Sequence, residues 1–231
     1  MTFRANDPLT EQIAQYLEKR IIIGELQPNE RIQELRIASE LEVSRGSVRE
    51  ALLILQRRHL IEIFPRRGAI VTCISGKNAH DFFEMWIMLL EKAAILVTQN
   101  WKRNDLADFS ELMDKLQEHQ HQRNLTLFYE NGISFLRILY ANVTNHYLSA
   151  VLIDLLPMTQ RYLYAILRTG HSQMDYAWQL LQALMKALVA RDVAATRHIV
   201  QQFGTSYIQL AHTSAETLAR SSGLSSSASY S

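Results

Sequence analysis

Ser39-Glu-Leu-Glu-Val-Ser44-Arg45-Gly46-Ser47-Val48-Arg49-Glu-Ala51-Leu52 is the stretch that decides the N-terminal fold. Ser44 is a favoured helix N-cap, because its hydroxyl can accept a hydrogen bond from an amide that the first turn leaves without a partner. Beyond it, Val48, Ala51, Leu52 and Leu55 recur at helical spacing and predict a buried stripe along a helix over residues 45–58. Arg45 and Arg49, four apart, share the opposite face. Glu42 and Val43 form a turn, and residues 33–41, with Leu35, Ala38 and Leu41 on one side, predict a shorter helix before it. A helix, a tight turn and a Ser-capped basic helix form the outline of a head that reads DNA.

Outward from this core the pattern continues in both directions. Residues 9–23 place Ile13, Tyr16, Leu17, Ile21 and Ile22 at helical spacing, and Gly24 supplies a stop. Residues 24–31, with Pro28 and Asn29, read as a loop. Downstream, residues 60–64 and 69–73 are β-compatible runs separated by Pro65-Arg66-Arg67-Gly68, which predicts a hairpin wing with two arginines at its tip. Residues 44–68 hold six arginines against two glutamates, Glu50 and Glu62, although the whole chain carries a formal charge of only +1. The basic character is local, as phosphate binding requires. The candidate DNA-contacting residues are Arg36, Ser44, Arg45, Ser47, Arg49, Arg66, Arg67 and Gly68.

From residue 78 onward apolar residues follow helical spacing with no alternating, strand-like run. The fold class is therefore mainly α: an N-terminal winged helix-turn-helix with a small β-hairpin (residues 8–75), then an all-α antiparallel helical bundle (78–220). The Ser-rich residues 221–231 read as a disordered tail. Cys73 is the only cysteine, so neither an intrachain disulfide nor a cysteine-built zinc site is expected, and the cytoplasm is the expected compartment. No run approaches the roughly 18 apolar residues of a spanning helix, so no membrane association is expected. Neither a glycine-rich phosphate loop nor a nucleophile elbow occurs, and Asp105 with Asp108 reads as helix-start charge; no catalytic residue, enzymatic activity or cofactor is expected.

Gly24-Glu-Leu-Gln-Pro28, the Ser39–Leu52 stretch and Leu60 through Pro65-Arg-Arg-Gly68 to Val71 closely resemble the winged helix-turn-helix of the GntR family. The helical remainder resembles the C-terminal domain of its FadR-like subfamily, a bundle of six or seven helices that dimerises and binds effectors. The resemblance implies base or phosphate contacts for Arg45 and Arg49 and a minor-groove position for Gly68, while Gly46 departs from the hydroxyl residue common in the family. It further implies a homodimer on double-stranded DNA with a pseudo-palindromic operator, repression as the output, and a small-molecule effector.

Many members of the subfamily hold a carboxylate effector on a metal bound by one Asp and three His. The matching positions here fall on Gly132, Leu136, Leu181 and Phe203, and an anion-binding arginine position falls on Ile87. No metal is expected, and a pocket at this place becomes apolar. Its expected lining is Trp86, Ile87, Leu90, Phe135, Leu136, Tyr140, Leu181 and Phe203, with Arg161 as a polar contact near Tyr164 and Arg168. The same residues also suit a filled core, in which case the helical domain serves only to dimerise or to bind a protein partner.

Overall fold

The computed structural model describes residues 8–74 and 76–221, with side chains set aside at 103–105 and 211–221. The predicted tail thus lies almost entirely outside the described residues. The chain divides into two compact units, and the division is not contiguous: residues 154–162 belong with the N-terminal unit and residues 163 onward with the second.

The N-terminal unit starts with α1 (Leu9–Ile22), which buries Ile13, Ala14, Leu17 and Ile21. Gly24 then adopts φ +79°, a left-handed turn that costs glycine little. Next come β1 (Arg31–Ile32), α2 (Glu34–Leu41), α3 (Arg45–Arg57), β2 (Ile61–Phe64) and β3 (Gly68–Val71). The sheet has three antiparallel strands in the order β1-β3-β2, with Ile32 opposite Ala69 and Phe64 opposite Gly68. Its first strand lies partly within the stretch read as loop. On α2 the buried face is Ile37, Ala38 and Leu41, whereas Leu35 is 62% exposed and does not face inward. On α3 the buried residues are Val48, Ala51, Leu52 and Leu55. These side chains meet Leu60, Ile61, Ala69 and Val71 in one core, against which Met158 also packs.

Among the described residues seven helices follow: α4 (Gly76–Asn100), α5 (Arg103–His121), α6 (Leu125–Ala141), α7 (His146–Asp154), α8 (Leu156–Leu167), α9 (His171–Val189) and α10 (Val193–Ser221). The first half of α8 belongs to the N-terminal unit and the second half to the helical one. In the helical unit α4 packs along α10, and α5 along α6 and α9. A β-carbon on Gly204 of α10 would lie 2.8 Å from both γ-carbons of Ile87 on α4, so the missing side chain sets how closely these helices approach. The same pair is tied by buried hydroxyls of Thr98 and Thr196, 3.1 Å apart, and by Arg197 and Gln201 donating to Glu91.

Candidate nucleic-acid interface and effector cavity

Ser44 caps α3 with extended backbone (φ −69°, ψ 148°), its Oγ accepting from the Ser47 amide at 3.0 Å. The two hydroxyls are 2.8 Å apart. No acidic residue occupies the first turn of α3, so its amide end keeps the positive potential that attracts phosphate. Arg45 and Gly46 are exposed beside it. Arg49 is exposed one turn on, with Nε donating to Glu34 Oε2 at 2.7 Å, and Arg36 lies 3.6 Å from Glu30. Exposed pairs of this kind are each worth about 0–1 kcal/mol, so DNA can displace them at little cost.

The wing turn has Pro65 in second place, Arg66 at φ +63° in third, and the Arg67 amide donating to the Phe64 carbonyl at 3.2 Å. This is the layout of a type II turn, which asks for glycine or asparagine where Arg66 stands. Holding a side chain there costs about 1–2 kcal/mol. An exposed arginine occupies the tip despite that strain. Arg67 lies over the Phe64 ring, 5.7 Å from its centroid, and Gly68 takes φ +79° with Arg31 Nε 3.5 Å from where a β-carbon would be. Arg31 carries no signal in the sequence, because a two-residue strand has no periodicity of its own.

Two arginines counted from sequence serve the fold. Arg58 is half-buried and bonds Glu11 and Glu18 of α1, at 2.7 and 3.0 Å. Arg161, expected at the effector site, lies in the N-terminal unit and is 2% exposed. Its Nη1 donates to Thr72 Oγ1 and its Nη2 to the Thr72 carbonyl, both at 2.6 Å, and burial pushes its pKa down to about 10. It fastens α8 to the end of β3 and is not among the residues that line the cavity of the helical unit.

The helical unit contains a cavity of about 90 Å³, measured to the centres of water-sized spheres. Trp86, Leu90, Phe135, Leu136, Leu181 and Phe203 line it, together with Gly132. Ile87 does not; it is seated over Gly204. Tyr140 is fully buried beneath the wall, where its hydroxyl accepts from Trp86 Nε1 at 3.0 Å and its pKa is raised by burial. Twelve further residues line it that the sequence expectation does not include, among them Phe128, Tyr129, Ile133, Leu163, Leu184 and Tyr207. All four positions that the resemblance assigns to metal ligands, Gly132, Leu136, Leu181 and Phe203, border this one cavity, and none carries a ligand atom. A metal does not fit this lining, and among the described residues no other group of three His, Cys, Asp or Glu gathers.

The family model of bacterial regulatory proteins of the gntR family matches residues 9–71, and the FCD domain model matches residues 81–204. Among curated relatives, the uncharacterized HTH-type regulator YdhC of Bacillus subtilis is 27% identical over 114 residues, 49% of this chain, and the chain spans about half of that relative's length (51%). The HTH-type transcriptional repressor GlaR of Escherichia coli is 25% identical over 195 residues, 81% of this chain and 88% of that protein. The solved structure of E. coli McbR/YncC superposes with a TM-score of 0.77 at 22% identity, over 90% of this chain and 98% of that one. The chain belongs to the GntR family of bacterial regulatory proteins, with an FCD domain following the winged helix-turn-helix.

Proposed function

We propose that the protein is a homodimeric, sequence-specific DNA-binding repressor whose operator affinity is set by a small molecule held in the helical unit. The observation that carries the DNA-binding half is α3 itself: a Ser-capped helix with a free positive end, exposed Arg45 and Arg49, and a strained Arg66 at the wing of the same unit. An arginine on such a helix can offer two donors to guanine O6 and N7, while the cap hydroxyls and first-turn amides hold phosphate. The effector half is supported by the lined cavity, and repression by the naming of GlaR as a repressor. A twofold dimer presents two reading heads, which matches a pseudo-palindromic operator. The cytoplasm, where such DNA is reached, is the proposed compartment.

The test starts with selection of duplexes from randomised DNA by the full-length protein. The enriched sequence is expected to be a pseudo-palindrome. Arg49→Ala is expected to weaken binding of that duplex about 5- to 150-fold, the equivalent of one base contact worth about 1–3 kcal/mol. A pool that never enriches refutes sequence-specific binding; an enriched duplex bound equally by Arg49→Ala removes Arg49 from the interface.

A further inference from the structure

We infer that the cavity of the helical unit takes an uncharged, ring-sized apolar molecule, aromatic or alicyclic, where the subfamily resemblance places a metal-held carboxylate; this rests on the effector-sensing reading above. Among the described residues, the lining contains no Lys, Arg, His, Asp, Glu, Ser, Thr, Asn or Gln, and its polar side-chain atoms are confined to Trp86, Tyr129 and Tyr207. The indole N–H of Trp86 is spent on Tyr140, so it is not free to receive a ligand oxygen. A carboxylate entering this space would lose its hydration and gain no counter-charge, which excludes it far more strongly than it excludes a hydrocarbon.

Size and shape point the same way. At about 90 Å³ the cavity lies below the usual range of small-molecule sites, which restricts an occupant to about a single ring. Its wall is built from rings: Trp86 meets Phe203 edge-on at 5.8 Å, and Phe203 meets Tyr207 at 4.1 Å. Offset and edge-on ring contacts of this kind extend naturally to one more ring. Water gains nothing there, because each molecule needs two to four polar partners.

Gly132 borders the space and adds no side chain to it. It stands in the interior of α6, where glycine weakens a helix relative to alanine, yet a β-carbon on it would meet nothing within 4 Å. A side chain at this position would have room and would strengthen the helix. Its absence leaves volume for an occupant.

The test compares ethylbenzene with benzoate, two molecules of nearly equal size, on the full-length protein with and without added zinc. Calorimetry and thermal unfolding read binding, and affinity for the selected operator duplex reads sensing. Ethylbenzene is expected to bind once per chain, to raise Tm by about 3–6 °C at ten times its Kd, and to change operator affinity. Benzoate is expected to do none of these. Gly132→Leu, which fills the space, should abolish ethylbenzene binding, and Leu181→Phe provides a second plug should the first fail to fold. Benzoate binding, alone or with zinc, together with a change in operator affinity would overturn the ligand class and leave sensing intact. Ethylbenzene binding that survives both folded plugs would overturn the site. Binding by neither molecule, with operator affinity unmoved, would overturn both readings.

Discussion

Gly132 and Gly204 invite the same substitution with opposite outcomes. Both lie inside helices, so replacing either with alanine removes the same helix penalty, about 1 kcal/mol. They differ in what the new methyl group meets. At Gly132 it meets nothing within 4 Å; at Gly204 it lies 2.8 Å from Ile87 Cγ1 and Cγ2. Carbon pairs prefer about 3.5–4.0 Å, so the overlap is roughly 1 Å. Ile87 is β-branched with essentially one favoured rotamer in a helix, and cannot swing aside. Overpacking of this kind costs about 1–3 kcal/mol. Because the propensity gain is common to both variants, their difference reports the steric cost alone. At about 2 kcal/mol, Gly132→Ala should melt about 4–8 °C above Gly204→Ala, with wild type between them. Circular dichroism melts in one buffer measure this directly. Adding Ile87→Ala to Gly204→Ala should cost less than the sum of the two single changes, because it removes the colliding atoms. Two glycine variants that melt together would refute the claim that Gly204 sets the α4–α10 approach.

Two further perturbations address the N-terminal unit. Arg66→Gly relieves the left-handed strain at the wing tip and should add about 1 kcal/mol of stability, while weakening operator binding and lowering its salt slope by about one ion if Arg66 meets phosphate; a variant that binds with the wild-type salt slope removes that contact. Glu40 has its pKa lowered, first by the hydrogen bond from Tyr16 and then by the charge of Arg20. A lowered folded-state pKa contributes stability above the unfolded carboxylate value of about 4.3 and loses it as the pH falls through the folded one. The Tm gap between wild type and Glu40→Gln should therefore hold at neutral pH and close under acid. A gap that persists at about pH 3 would show that the carboxylate charge is not what joins Glu40 to Tyr16 and Arg20.

The reading head was legible because its signals are local: a Ser cap, a stripe at Val48, Ala51, Leu52 and Leu55, and a Pro-bearing turn between two short apolar runs. The two-residue β1 was not, since Arg31 and Ile32 have no periodicity of their own and become a strand only by pairing with β3. Leu35, Ala38 and Leu41 form a three-residue ladder that drifts around a 3.6-residue helix, and Ile37 takes the inward place that Leu35 was given. In the helical unit, spacing located the apolar residues but could not tell a cavity wall from a packed core. Ile87 was misplaced because the decisive partner, Gly204, is a residue without a side chain more than a hundred positions away. Arg161 was misplaced because its helix is shared between units, a property that no periodicity encodes.

The discontinuity of the reading head constrains how such chains can be recombined. A genetic crossover after residue 74 would transplant the helices and the wing without residues 154–162, and with them without Met158 against the core and Arg161 on Thr72. The borrowed segment would have to accept whatever a foreign α8 offered in their place. A chimera that keeps the N-terminal core intact needs residues 154–162 to travel with it.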